Sequence, residues 1–225
     1  MTHQEIVSKV KTILNEHGEE IALSISDDRV LIKDYIEAAI PDAVVMLAQR
    51  GFRVNVVRVE TDNPGDDLMV GLMYNIGEDG GGEYKDADFI SLIKATHPAW
   101  KKDVTRLTDI NSVEFAMAQN EFTRPKANSP MVWWDEYDGL KCAPFNYGTG
   151  ENVAFIYNSK YNPKDGLCFK YIKMKDTKVL ITKHNNIEPR VATAVCYMAA
   201  ALVCGMFGDD NGKQRLSDIS TNLLQ

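Results

Sequence analysis

Apolar side chains near the start of the chain recur with the period of an α-helix. Four of them fall at i, i+4, i+7 and i+8, namely Ile6, Val10, Ile13 and Leu14, which is the spacing of one apolar helix face. A second run at this spacing covers residues 32–47 and is followed by Gly51, a residue typical of helix ends. Pro41 lies inside that run. Because proline has no backbone N–H, we expect a kink or a break there.

The middle of the chain changes to the two-residue period of β-strands. Residues 53–60, RVNVVRVE, alternate β-branched and polar side chains and predict a strand. We expect it to form a hairpin with residues 68–76 around the turn signal at 63–65. Further strands are predicted at 89–95, 104–108, 131–134, 140–145, 153–157 and 170–182, with 104–108 paired to 89–95 and a polar helix over 112–120.

The C-terminal part returns to helical patterns. Pro189 suits the first turn of a helix, and residues 189–207 and 213–224 predict two helices separated by a break at 208–212. Residues 191–207, VATAVCYMAAALVCGMF, are apolar on every side of such a helix. The run is shorter than the about 20 residues of a typical membrane span and is rich in small side chains. We therefore expect it to be buried against protein.

Helices at both ends and strands between them predict an α+β fold. We expect the two N-terminal and the two C-terminal helices to form a helical bundle, with a large antiparallel β-rich insertion between them. The predicted boundaries are 1–51 for the N-terminal helices, 52–188 for the insertion and 189–225 for the C-terminal helices.

Composition excludes several classes of protein. Of the 225 residues, 25% are charged and 44% belong to the set AVILMFWYC, which is the mixture of ordinary globular domains and excludes intrinsic disorder and collagen-like repeats. Four cysteines, none in a CxxC pair, indicate free thiols in a reducing compartment. The first residues lack the apolar core of a secretory signal. We expect a soluble protein made inside a cell.

Charge is distributed unevenly along the chain. Residues 1–90 contain 8 Lys and Arg against 18 Asp and Glu, whereas residues 91–225 contain 17 against 14, which gives the net charge of −7. An acidic first part argues against tight binding of nucleic-acid phosphates. Seven lysines lie between positions 160 and 183. Among them we take Lys170, Lys173, Lys175 and Lys178 as a candidate outer face for an acidic partner.

Motifs for catalysis and for cofactor binding are missing from the sequence. It contains no GxxxxGK[ST] loop, and the glycines at 77–82 do not form GxGxxG. The histidines at 3, 17, 97 and 184 lack metal-ligand spacing, and the acidic loops at 62–67 and 78–88 depart from the calcium-loop pattern. Cys196 and Cys204 are interpreted as buried structural cysteines. We therefore predict no enzymatic activity, no cofactor and no metal.

A glycan-related function is the alternative. Two of the carboxylates of Asp135, Glu136, Asp138 and Glu151 could serve as the acid and base of a glycan hydrolase. Trp133 or Trp134 could stack on a sugar, although in a strand one of these indoles faces the core and the other the opposite side. The corresponding hypothesis is a glycan-processing or glycan-binding tail component.

Residues 89–130 combine a strand phrase, a helix that starts at a serine and a proline turn. The positions that carry this pattern are Phe89, Leu92, Trp100, Val104, Ser112, Glu114, Gln119, Asn120, Glu121, Thr123, Arg124 and Pro130. The block resembles the middle of head–tail connector (adaptor) proteins of short-tailed bacteriophages, including the crAss-like phages of Bacteroides-type hosts. Residues 28–47 and 194–224 also resemble the ends of these proteins, whereas 62–88 and 160–175 have no clear counterpart in them.

The resemblance implies a virion protein of the neck, at the head–tail interface, assembled in the cytoplasm of the bacterial host. Its subunits would form a ring, typically dodecameric, that docks on the portal protein, contacts other neck and tail ring proteins and extends the channel through which genomic DNA passes without sequence-specific binding. No membrane is implied. The terminal helices would build the ring, so the candidate interface residues are Ile6, Val10, Ile13, Leu14, Val195, Met198, Ala199, Leu202 and Met206.

Overall fold

The computed structural model has an α+β fold with five helices and nine strands among the residues that it describes. Those residues are 1–16, 32–61, 75–76, 82–83, 88–118, 120, 122–123, 125–126, 128–135, 139–143, 153–175, 178–184 and 187–225. In chain order the elements are α1 His3–Glu16, α2 Ile32–Gln49, β1 Val56–Thr61, β2 Asn75–Ile76, β3 Gly82–Glu83, β4 Phe89–Thr96, α3 Val113–Ala118, β5 Met131–Asp135, β6 Gly139–Ala143, β7 Val153–Ser159, β8 Phe169–Lys175, β9 Lys178–His184, α4 Pro189–Met206 and α5 Asp210–Asn222.

The chain forms two compact units. One consists of Met1–Val56, Ser159–Phe169 and Lys183–Gln225 and contains α1, α2, α4 and α5. The other consists of Val57–Asn158 and Lys170–Thr182 and contains most of the strands together with α3. We call them the helical unit and the strand unit.

The helical unit is assembled around α4. Helices α1, α2 and α5 each contact α4, and α1 also contacts α2. The apolar stripe predicted on α1 is buried there, with Ile6 and Val10 at 0% exposure. Ten of the eighteen residues of α4 are buried, and five of these ten are alanines. Since the distance between two helix axes depends on the side chains at the contact, the alanines allow close packing of the neighbouring helices.

Helix α2 runs without interruption from Ile32 to Gln49 and includes Pro41, so the expected break is absent. Proline inside a helix costs about 3 kcal/mol, because one backbone hydrogen bond is lost and the ring crowds the preceding turn. Buried apolar side chains lie on both sides of Pro41, among them Ile36, Ile40 and Leu47. Their burial contributes about 1.5–3 kcal/mol each, which is enough to hold the helix together across the proline.

A short connection separates α4 from α5. Gly208 takes a positive φ of 78°, and Asp209 caps α5 because its Oδ1 accepts a hydrogen bond from the Gly212 amide at 2.8 Å. Helix α5 therefore begins at Asp210, three residues before the predicted start.

The turn between β7 and β8 belongs to the helical unit and is held by Asn55. The buried Asn55 amide nitrogen donates to the Lys160 carbonyl oxygen at 2.9 Å, and its Oδ1 accepts from the Cys168 amide at 3.2 Å. The turn also contacts the first residue, since the Leu167 amide donates to the Met1 carbonyl oxygen at 3.0 Å. Gly166 has φ 67°, and a Cβ at this position would collide with that carbonyl oxygen.

The strand unit contains a five-stranded sheet in the order β4-β7-β1-β8-β9. Strands β5 and β6 form a separate antiparallel hairpin, with Val132 opposite Cys142. Side chains from β1, β7 and this hairpin share one buried cluster, whose members include Val57, Phe155 and Leu140. One face of the sheet is thus covered by the hairpin.

Most predicted strands are present, but the expected hairpin between 53–60 and 68–76 is wrong in its described part, because β1 lies between β7 and β8 and Asn75–Ile76 pairs with β3. Two other predictions change in extent. Strand β1 begins at Val56, three residues after the predicted start, and the Asn55 carbonyl oxygen just before it accepts from the amide of Ser159, the last residue of β7, at 2.8 Å. The expected pairing of 104–108 with 89–95 is reduced to the single bridge Ala95–Val104. The reason is that the Thr108 amide donates to the Val132 carbonyl oxygen of β5 at 2.7 Å.

Several sequence predictions concern residues outside the described ranges. They are the end of the first helix at 17–18, the hairpin turn at 63–65, the strand residues 68–74, the glycines at 80–81 and the turn residue Asp138.

Candidate assembly surfaces

Most of the residues predicted to form the subunit interface lie in the core of the helical unit. Seven of the nine are at most 4% exposed, namely Ile6, Val10, Ile13, Leu14, Val195, Met198 and Ala199. A side chain that is already buried in its own chain offers no surface to a second subunit. The structure therefore corrects the role of these seven, which hold α1 and α4 together within one chain. Leu202 is half-buried and Met206 is 49% exposed, so these two remain available.

The predicted basic face is divided by the pleat of β8. Ile172 packs against the buried cluster of the strand unit. Because side chains alternate along a strand, Lys170 shares the face of Ile172, and Lys173 points to the opposite face. Lys175 ends β8 and Lys178 begins β9. Lys170 and Lys173 therefore cannot serve one continuous outer surface, which corrects the four-lysine face.

On the face of β8 opposite the buried cluster, Glu60 interacts with two side chains of its own chain. The Tyr171 hydroxyl donates to Glu60 Oε2 at 2.6 Å, and Arg58 pairs with Glu60 Oε1 and lies 5.9 Å from the centre of the Tyr171 ring. Burial raises the pKa of Glu60, but the Tyr171 hydrogen bond, Arg58 and Lys173 together outweigh this and leave the pKa below its ordinary value. Lys173 therefore already interacts with a carboxylate of its own chain.

Apolar side chains that the described part of the chain leaves exposed concentrate around α3. Four of them form what we call the α3 surface, which consists of Ile110, Val113, Met117 and Phe122. Val113 is 76% exposed and Phe122 is 89% exposed. A groove of about 390 Å³ runs beside Met117 and Phe122 and extends to Met131. Exposed apolar patches mark interaction sites in soluble proteins.

The position of α3 is fixed by two local caps. Asp109 Oδ1 accepts from the Asn111 amide at 2.9 Å, and Ser112 Oγ accepts from the Phe115 amide at 3.1 Å. Ser112 Oγ also donates to the Asp109 carbonyl oxygen at 2.6 Å. The serine start of the pattern in 89–130 is therefore a helix cap. Sequence reasoning predicted a polar helix over 112–120, and a local pattern does not reveal that Val113 and Met117 of this helix are left exposed.

Strand β9 forms a second exposed surface, which we call the β9 edge. It is the last strand of the sheet and neighbours only β8 in the sheet order. Leu180 is 63% exposed and Ile181 is 48% exposed. Because consecutive side chains of a strand point to opposite faces, both faces of β9 are accessible at this point.

Both tryptophans of the glycan hypothesis are engaged by the chain itself. Trp134 stacks on Phe89 with ring centres 4.7 Å apart, and Trp133 meets Phe115 edge to face at 5.5 Å. Each indole is thus in contact with another aromatic ring of the same chain. Asp135 ends β5, and Glu136, Asp138 and Glu151 lie outside the described residues.

We next consider reactive cysteines and metal ligands among the described residues. All four cysteines are free and buried, and burial raises the pKa of Cys142 and of Cys196 to about 12, so both thiols stay protonated at neutral pH. Within the described residues, no three His, Cys, Asp or Glu side chains come together as a metal site would require. The two acidic loops lie mostly outside those residues.

Helix α4 is also the one described helix that is long and apolar enough to cross a membrane. This property is shared by membrane spans and by the core helices of other proteins. It contacts α1, α2 and α5, and ten of its eighteen residues are buried.

A scan against protein-family models finds no family that matches the chain. A search of curated proteins also finds no match.

Proposed function

We propose that this chain is a structural subunit of a bacteriophage head–tail connector. In this proposal, copies of the chain form a ring in the neck of the virion that docks on the portal protein, extends the DNA channel and carries the tail. The four long helices form a terminal bundle and the strands form an insertion between them. The resemblance of residues 89–130 and of both chain ends to connector proteins is the sequence support for this role.

The observation that carries the proposal is the location of the exposed apolar side chains. Among the described residues, seven large apolar side chains are exposed, and six of these belong to the α3 surface or the β9 edge. Covering apolar area releases about 25 cal/mol per Å², so an assembly that covers both surfaces gains stability. The α3 surface also lies inside the block that resembles connector proteins. A protein that functions by contact with other proteins explains both facts.

The charge of the chain is compatible with a DNA channel. The net charge is −7, and carboxylates that face a lumen repel phosphate and prevent DNA from adhering to the wall. In this proposal DNA passes through without base contacts. The channel is formed by the ring as a whole.

Native mass spectrometry of the purified chain with the portal ring of the same phage tests the proposal. We expect a complex in which the number of copies of this chain follows the symmetry of the portal. Val113→Lys combined with Phe122→Ser is expected to weaken the complex at least about tenfold, since interface anchors often contribute more than 1.4 kcal/mol. Asn222→Lys, which adds a lysine at an exposed position of α5, is the matched control and should bind normally.

Two results would contradict the proposal. One is a chain that stays monomeric and does not bind the portal ring at any soluble concentration. The other is hydrolysis of a glycan by the chain alone, which would favour the glycan-processing alternative.

A further inference from the structure

The chain contains a single Asn-Gly dipeptide, formed by Asn211 and Gly212. Such dipeptides are chemically labile, because glycine has no side chain to shield its backbone nitrogen from the preceding asparagine side chain. The glycine nitrogen bonds to the asparagine Cγ, the side-chain amide leaves as ammonia, and water opens the resulting succinimide to aspartate or isoaspartate. Asparagine is therefore a thermally labile residue. Asn211 is exposed, so water reaches it.

Both residues lie in the first turn of α5. The Lys213 amide donates to the Asp209 carbonyl oxygen at 3.0 Å, and this hydrogen bond closes the turn around residues 210–212. The first N–H groups of a helix have no carbonyl acceptor within the helix. The Gly212 amide, which is the nucleophile of the reaction, donates instead to Asp209 Oδ1 at 2.8 Å.

This hydrogen bond opposes ring closure in two ways. It holds the Gly212 nitrogen in place within the turn. The nitrogen must also lose its proton to attack, and a carboxylate that accepts a hydrogen bond from it disfavours a negative charge there. The two groups are in close contact, since Gly212 is buried and a Cβ at this position would collide with the Asp209 carboxylate.

We propose that Asn211 is a deamidation site of this chain and that Asp209 keeps it unreactive in the folded state. Deamidation then proceeds from molecules in which the first turn of α5 has opened, at a rate that follows their population. Isoaspartate adds a methylene group to the backbone, which breaks the first turn. Helix α5 is bonded to α4 through Ser220 Oγ, which donates to the Ala194 carbonyl oxygen at 2.7 Å, so the modification loosens the cover of α4. The inference does not depend on the connector function.

Peptide mapping by mass spectrometry tests the proposal on the full-length chain after incubation at mildly alkaline pH. Asp209→Ala should convert Asn211 about fivefold faster than the parent, which is the factor by which loss of a helix cap typically shifts such an opening. Asp209→Ser should stay within about twofold of the parent, because serine is also a good cap. Asp210→Ala is the matched control, since it removes the neighbouring exposed carboxylate and leaves the cap in place.

A comparison of the folded and the unfolded parent requires no variant. In urea every molecule is open, so Asn211 should convert at least about tenfold faster than in the folded parent. The parent and Asp209→Ala should react equally fast in urea. Asn128, which is exposed and precedes Ser129, is an internal reference, and Asp209→Ala should not change its rate.

Three results would overturn the proposal. One is equal conversion of Asn211 in the folded and the unfolded parent, because the fold would then give no protection. Another is equal conversion in the folded parent and in folded Asp209→Ala. The third is an acceleration by Asp210→Ala as large as that by Asp209→Ala, since the cap would then not be the cause. Circular dichroism checks that each variant is folded, and if Asp209→Ala is not, Asp209→Ser and the urea comparison decide.

Discussion

Helices α4 and α3 differ in how their sequences relate to their burial. Helix α4 is a long apolar helix that contacts α1, α2 and α5, and ten of its eighteen residues are buried. Helix α3, VEFAMA, has only six residues, none of them is buried, and Val113 and Met117 are exposed. The long apolar helix is therefore mostly buried within its own chain, whereas the short helix leaves apolar side chains exposed.

This difference shows that a long run of apolar residues indicates burial, and not by itself a surface for a partner. A long apolar helix must be covered, and the nearest available cover is the rest of the same chain. Only a few side chains of α4, such as Met206, remain for other contacts. A six-residue helix between loops has fewer neighbours to cover it, so a few apolar side chains there are enough to make a docking surface. The predictions below test this contrast in order of decreasing effect.

The largest effect is expected from two methionines of the same helix. Met198 is 1% exposed and Met206 is 49% exposed. Met198→Ala should lower the free energy of unfolding by about 2–5 kcal/mol, because it removes buried methylene groups and leaves a cavity. Met206→Ala should change it by less than about 0.5 kcal/mol. Urea unfolding followed by circular dichroism measures both, and equal losses would show that α4 is not covered as described.

Two glycines with positive φ provide the next contrast. Gly166 has φ 67° and lies against the Met1 carbonyl oxygen, whereas Gly208 has φ 78° and open space around it. Both alanine variants incur the cost of a left-handed backbone, about 1–2 kcal/mol. Gly166→Ala also forces the first residues away from the turn and should destabilise the chain more than Gly208→Ala. Thermal unfolding compares the two, and a smaller loss for Gly166→Ala would contradict the contact with Met1.

The third contrast separates assembly from folding. Met117→Ser on the α3 surface should leave the free energy of unfolding within about 0.5 kcal/mol of the parent, since Met117 is 54% exposed. The same substitution should weaken binding to the portal ring several-fold if α3 is an anchor. Chemical denaturation and native mass spectrometry report these two properties separately. Unchanged binding together with unchanged stability would remove Met117 from the docking surface.

Whether a segment is a helix or a strand was largely predictable from the sequence. Which surfaces each element buries or exposes was not. The periods of α1, α4 and the strands are local signals, and they identified most elements with small errors in extent. At Pro41 the alternative of a break was wrong, because packing on both sides of the proline is not visible in a local pattern. The sheet order, which places β4 and β9 at the edges, depends on pairings between distant residues. The interface was misassigned for Val195 and Met198 because a stripe that contacts a partner and one that contacts the same chain have the same spacing.

The smallest effect is expected for a surface ion pair in the helical unit. His3 Nε2 lies 3.3 Å from Glu37 Oε1, and Lys33 Nζ lies at the same distance from that oxygen. The hydrogen bond from His3 is the main reason that the pKa of Glu37 is lowered from 4.5; burial opposes it and Lys33 adds to it. A carboxylate with a lowered pKa in the folded state stabilises the fold above the pKa of the unfolded state, and this contribution is lost as the pH falls through the folded-state pKa.

The parent should therefore be more stable than Glu37→Gln at neutral pH, and the difference should shrink below pH 4.5. In a His3→Ala background most of that difference should disappear at every pH, because His3 is its main cause. Urea unfolding at a series of pH values measures both differences, and the same pH dependence with and without His3 would show that the pair makes no contribution.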